Sequence, residues 1–182
     1  MTIEHLPLSG ALLLTPRVFT DQRGSFRELF SLDRYSECGI RDSFVQDNSS
    51  LSRRNVLRGL HGDARMSKLV SVVRGSAFDA IVDARPGSAT FGRWYGTTLS
   101  AADGRQLYVP RGFLHGFLAL EDDTVFWYKQ SAPYDPRSEV AVAWNDADVG
   151  IEWPLGLEAP TLSPRDAGNP PFRSLLPSPA QP

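Results

Sequence analysis

The chain is poor in the residues that most often announce a mechanism. Its 182 residues include one cysteine, two methionines and three histidines. A single cysteine excludes an internal disulfide framework and any zinc site built on several thiolates. That residue, Cys38, lies between Glu37 and Gly39 with no histidine nearby, and reads as a packed or surface thiol rather than a nucleophile. An excess of one charge is also missing. Lys and Arg number 19 against 21 Asp and Glu, for a formal net charge of -2, and no basic run occurs, so the electrostatic footprint of a nucleic-acid binder is absent. No apolar run approaches the roughly 20 residues that span a bilayer. The N-terminus, Met1-Thr2-Ile3-Glu4-His5, carries no charged-then-apolar leader. The expectation is a soluble, cytoplasmic protein with no nucleic-acid or membrane partner.

Helical periodicity is scarce as well. In its place stand short β-branched and aromatic runs cut by Gly, Pro, Asp and Asn, the texture of strands and turns. Strands are expected over residues 43–48, 68–73, 77–83, 94–99, 105–109, 116–120, 124–129 and 140–144, which together suggest an all-β sandwich or barrel. One short helix is expected over 32–38, capped by Ser31 or Asp33 and stopped by Gly39. A hydrophobic content of 41% can fill one core without staples, and neither a repeat nor a linker appears, so residues 1–182 read as a single domain. Residues 154–182 are rich in Pro and loops, with a frayed end expected over 177–182.

Two of the few histidines stand in suggestive settings. His61 closes Asn55-Val56-Leu57-Arg58-Gly59-Leu60-His61, read as a turn, and is a candidate for proton transfer. Alone it would read rather as a core histidine bonded to backbone. His115 lies in Pro110-Arg111-Gly112-Phe113-Leu114-His115-Gly116-Phe117, a turn entering a strand, so its side chain and the alternate ones after it should face a barrel interior.

The Pro-x-Gly-x-x-His element resembles the second motif of the cupin families, many of which bind a metal through a His-x-His pair, a later Glu and this histidine. Here no His-x-His exists and the residue two after His61 is Asp63, so the ligand count is not met and no metal is expected. Further matches occur in order: Asp21-Gln22-Arg23-Gly24-Ser25-Phe26-Arg27-Glu28, Phe44-Val45-Gln46-Asp47-Asn48, Val56-Leu57-Arg58-Gly59-Leu60-His61, Lys68-Leu69-Val70, Tyr128-Lys129 and Leu162-Ser163-Pro164-Arg165-Asp166. From Leu12 to about Pro170 the chain resembles the dTDP-4-dehydrorhamnose 3,5-epimerase family of nucleotide-sugar epimerases.

The resemblance implies an all-β, cupin-type jelly roll with a few short helices, and a cofactor-free reaction on a 4-keto-6-deoxy sugar. It makes His61 the base and Asp166 the carboxylate that orients it. Lys68 stabilises the enolate with Arg58 and Ser50, and Tyr128 is the acid on the opposite ring face. Phe19, Arg23, Phe26 and Glu28 would contact the nucleotide from an N-terminal arm, residues 1–30, that reaches a neighbouring subunit in a homodimer. Gln46 and Asn48 would face it, Arg58 and His115 would lie toward the diphosphate or sugar, and Tyr134 toward the nucleoside. One departure stands out: after His61 the better-known members carry an aromatic-Gln pair and a longer loop, whereas this chain has Gly62-Asp63-Ala64-Arg65-Met66-Ser67. The segment is expected to form the pocket wall beside His61, which leaves open a 3- or 5-monoepimerase, or an epimerase of another nucleotide sugar such as a heptose. A metal-dependent cupin or a non-catalytic sugar-binding module would instead show bound metal or lack the base, acid and oxyanion partner.

Overall fold

The computed structural model describes residues 1–176; the frayed end expected over 177–182 lies outside them. In chain order the elements are β1 (Thr2–His5), β2 (Leu12–Thr15), β3 (Val18–Asp21), β4 (Gly24–Arg27), α1 (Leu32–Glu37), β5 (Gln46–Ser52), β6 (Leu57–Gly62) and β7 (Lys68–Arg74). They continue with β8 (Ser76–Asp83), β9 (Trp94–Ser100), β10 (Gln106–Val109), β11 (Phe113–Ala119), β12 (Thr124–Gln130), β13 (Val140–Ala141), α2 (Pro164–Ala167) and a 3-10 turn at Phe172–Leu175.

Two antiparallel sheets face each other, one of six strands in the order β1-β2-β10-β7-β12-β5 and one of five in the order β13-β6-β11-β8-β9. Successive strands repeatedly change sheet, the connectivity of a cupin-type jelly roll. Between the sheets Val70, Val72, Leu107 and Phe126 pack on Ile81, Leu99, Phe113 and Phe117. The Phe117 and Phe126 rings stack across the gap with centroids 4.0 Å apart. Each such side chain contributes roughly 1.5–3 kcal/mol by leaving water.

The outer faces are covered too. Tyr35 of α1 and the following Ile40 lie on Leu12, Leu14 and Leu69. Val149 and Phe172 from the C-terminal segment lie on Leu60, Val82 and Leu114. Every residue of β11 is therefore buried, and the alternation that marks a one-sided strand disappears.

Two expectations are corrected. The Arg-Gly-Leu-His stretch is not a turn but the strand β6, central to its sheet. Its Gly59 is a site of close approach: a Cβ there would come within 2.6 Å of Gly116 Cα on β11, so the glycine permits strand packing rather than ending it. Strands β1 and β2 also went unexpected, because Leu12-Leu13-Leu14 is buried on both faces and shows no alternation. The first 15 residues accordingly belong to the six-stranded sheet. Only the hairpin β3-β4 stands apart, paired with itself, its tip turning at Gln22 and Arg23, with Phe26 72% exposed.

Candidate active site

A cleft of about 460 Å³ is lined from both sheets. The five-stranded sheet contributes Arg58 and His61 from β6 and His115 from β11; the six-stranded sheet contributes Ser50 from β5, Lys68 from β7, and Tyr128 and Gln130 from β12. The C-terminal segment closes the cleft with Thr161, Ser163, Arg165 and Asp166.

Local chemistry explains how Asp166 arrives there. Leu57 donates its backbone N–H to Thr161 (3.0 Å) and Thr161 donates to Asn55 (2.8 Å), tying the returning chain beside β6. Ser163 then caps α2, its hydroxyl oxygen accepting from the Asp166 N–H at 3.0 Å, and Pro164 in the first turn suits the cap. The Asp166 carboxylate, 5% exposed, meets His61 Nε2 at 2.6 Å. Burial lowers the His61 imidazole below its ordinary value, a tendency that Asp166 and Glu139 oppose and Lys68 reinforces. A histidine so placed is neutral near pH 7 and available as a base, with Asp166 ready to stabilise its charged form.

On the other side, burial raises the Tyr128 phenol, and the Glu139 charge adds to this while Arg58 opposes it. The phenol therefore keeps its proton at neutral pH. Burial lowers the Lys68 ammonium below its ordinary value, a tendency that Glu139, Asp79 and Asp63 oppose without reversing. Imidazole and phenol thus reach one cleft from opposing sheets, with the Lys68 side chain beside them.

Of the residues expected in the site, Ser50, Arg58, His61, Lys68, His115, Tyr128, Tyr134 and Asp166 line the cleft together. Gln46 and Asn48 stand one step behind it. Asn48 donates to Gln130 at 3.0 Å, and Gln46 accepts from the Tyr134 N–H at 3.0 Å. Phe19, Arg23, Phe26 and Glu28 lie apart, on and just after the hairpin, where Arg23 pairs with Asp21 and Glu28 with Arg34. The segment 62–67, expected from the sequence to form a wall of the cleft, does not line it, whereas Tyr134 and Glu139 do. Glu139 was missed because it lies just before a two-residue strand, in no recognisable motif. Arg165, which pairs with it, was within reach as the neighbour of Asp166. Among the described residues no three His, Cys, Asp or Glu side chains converge as a metal-binding group, and no helix is long and apolar enough to cross a membrane.

A jelly roll that brings a histidine-carboxylate pair and a phenol into one cleft from opposing sheets is the architecture of the cupin-fold sugar epimerases, which are isomerases. Residues 5–174 match the family model described as dTDP-4-dehydrorhamnose 3,5-epimerase, and the chain belongs to that family. It is 44% identical over 174 residues to the dTDP-4-dehydrorhamnose 3,5-epimerase of Salmonella typhimurium strain LT2, covering 93% of this chain and 94% of that one. Among solved structures it is similar to the dTDP-6-deoxy-D-glucose-3,5-epimerase of Legionella pneumophila in complex with dTDP-4-keto-L-rhamnose, with a TM-score of 0.91, 42% identity and 97% of each chain covered. A 3'-monoepimerase from Streptomyces bikiniensis in complex with dTDP-quinovose aligns with a TM-score of 0.87 and 34% identity, over 93% of this chain and 87% of that one.

Proposed function

We propose that this epimerase takes a dTDP-4-keto-6-deoxy sugar such as dTDP-4-keto-6-deoxyglucose and inverts it at C3 and C5. The C4 carbonyl acidifies the hydrogens on both carbons. His61 removes one as a proton, and the electron pair moves through the new C=C bond onto O4. Lys68, with Arg58 and Ser50, stabilises that enolate. Tyr128 then gives its proton to the same carbon from the opposite face, the C=O bond re-forms, and the configuration is inverted. Proton exchange with water returns His61 and Tyr128 to their starting states, so the step needs neither metal nor cofactor. The observation that carries this reading is the approach of His61, held by Asp166, and Tyr128 from opposing sheets.

The hairpin supports a homodimer. Phe19 and Phe26 are exposed, and Phe19, Arg23, Phe26 and Glu28 cannot meet the nucleotide in their own subunit's cleft as it stands. In this reading the arm completes the nucleotide site of a second copy, with Gln46, Asn48 and Tyr134 facing it and His115 toward the diphosphate or sugar. Residues 1–182 form one epimerase domain, acting in the cytoplasm on a nucleotide-activated sugar destined for polysaccharide. A second reading, inversion at a single carbon, is favoured by the likeness to the 3'-monoepimerase.

The deciding experiment is NMR of dTDP-4-keto-6-deoxyglucose with enzyme in heavy water. Deuterium entering at both C3 and C5 is the expected result. Deuterium at one carbon establishes the monoepimerase, and exchange at neither removes this substrate.

A further inference from the structure

The segment that departs from the family pattern holds a buried charge. Asp63 is 5% exposed, and its carboxylate accepts from the Arg65 backbone N–H at 2.8 Å, from Arg65 Nε at 3.2 Å, from the Arg65 guanidinium terminus at 2.9 Å and from the Ser138 hydroxyl at 2.6 Å. These bonds, those of Arg65 above all, hold Asp63 down to about 2, so it is fully charged throughout the neutral range. The bond to Ser138 joins two parts of the chain 75 residues apart. Ser138 lies in the turn 134–139, which is braced by its own Ser138 N–H to Asp135 bond (3.2 Å) and begins and ends on cleft residues, Tyr134 and Glu139. No member of 62–67 lines the cleft; the segment reaches it through neighbours, Gly62 pairing with Val140 in the β6-β13 ladder and Asp63 and Arg65 both bonding Ser138.

We propose that Asp63 is a positioning residue: by holding Ser138 it fixes the turn 134–139, and so keeps the Glu139 carboxylate facing His61. A charge-assisted hydrogen bond to a buried carboxylate is a directional tether, stronger than its neutral counterpart. The charged or titratable groups sharing the cleft with His61 are Asp166 and Arg165 on α2, Glu139 before β13, Arg58 on β6, Lys68 on β7, Tyr128 on β12, Tyr134 at the start of the turn and, opposite it in the β6-β11 register, His115. Glu139 ends the turn that Asp63 holds, and its carboxylate is also paired with Arg165, so Ser138→Ala removes one of two restraints on it.

Ser138→Ala is the discriminating variant, because it cuts the tether without changing any charge. With only three histidines in the chain, the His61 ring can be followed by NMR titration apart from turnover. The expected result is a His61 titration displaced to lower pH, since a retreating carboxylate favours the imidazolium less. Ser138→Thr, which keeps the hydroxyl, should restore it. If the proposed function holds, the Michaelis constant for dTDP-4-keto-6-deoxyglucose should also rise about threefold to tenfold, the worth of one such bond, with kcat changed less. Asp63→Asn should raise it similarly. A His61 titration in Ser138→Ala that is unmoved or displaced upward overturns the proposal, whatever happens to thermal stability. Wild-type protein that exchanges no substrate proton overturns the epimerase reading alone, and the titration still decides the tether.

Discussion

Two histidine-aspartate pairs lie side by side in this barrel. His61 on β6 and His115 on β11 are directly opposite in register, and each holds an Asp carboxylate through Nε2, at 2.6 Å and 2.8 Å. Their settings differ. The His61 side chain is 23% exposed to the cleft and takes its carboxylate from the capped turn α2, outside the sheets. His115 is 8% exposed, takes its carboxylate from the neighbouring strand β8, and has the Phe126 ring 5.8 Å away; the other oxygen of Asp79 is buried without a partner among the described residues. The difference teaches that the pair alone is not a catalytic signature. In the proposed mechanism it is access to the cleft, with a phenol on the other sheet, that would separate the base, His61, from His115, which is packed within the barrel.

The largest expected effect tests that distinction directly. His61→Asn should lower turnover by about a hundredfold to ten-thousandfold while dTDP affinity and folding are kept, because a positioned general base contributes at that level. Steady-state kinetics with nucleotide titration checks it, and turnover near wild type would erase the contrast between the pairs. His115→Asn should show the opposite balance. Leaving the buried Asp79 carboxyl without its hydrogen-bond partner should cost roughly 1–3 kcal/mol of folding stability, read by denaturant unfolding, with turnover changed far less than in His61→Asn. Tyr128→Phe should still allow His61 to remove a proton and return it on the same face, giving deuterium incorporation with retained configuration. Inverted product formed at an undiminished rate would assign the acid to another group.

The pH profile sharpens the same comparison. The base must be neutral to act, so kcat/KM should fall as pH drops through the His61 pKa, which burial sets below the ordinary 6.5. The acid must be protonated, so the alkaline limb should lie above the ordinary phenol value of 10.0. A rate-pH titration with an acid limb above 6.5 would contradict the burial of His61. The smallest expected effect is that of chelation: exhaustive EDTA treatment should leave activity unchanged, since Lys68 and hydrogen-bond donors suffice at the oxyanion. Activity that tracks one bound metal per chain would put a Lewis acid in place of that cation.

Much of this architecture was legible in the sequence, for reasons that can be named. Residues 68–73, 77–83 and 124–129 matched β7, β8 and β12 closely, because β-branched and aromatic runs bounded by Gly, Asp and Thr leave few alternatives. The helix expected over 32–38 is α1, although Ser31 stands at its N-cap without a side-chain bond. β6 was hidden because a glycine reads as a break until its partner, Gly116, is known, and that contact spans 57 residues of sequence. The site divides in the same way. His61 and Asp166 are 105 residues apart, so no local pattern joins them; the family resemblance did. Glu139 and the Asp63 to Ser138 tether carry no motif and are visible only in three dimensions.

The late position of Asp166 has a consequence for the making of the molecule. All the strands precede it in the chain, β13 included, so during synthesis the barrel can assemble around a histidine that still lacks its orienting carboxylate. The base acquires its partner only when the tail folds back beside β6, and the same tail brings the Phe172 ring that covers the five-stranded sheet. Completion of the cleft and completion of the core are thereby linked: a nascent or C-terminally clipped chain that has lost α2 lacks both the carboxylate at His61 and the ring over the five-stranded sheet.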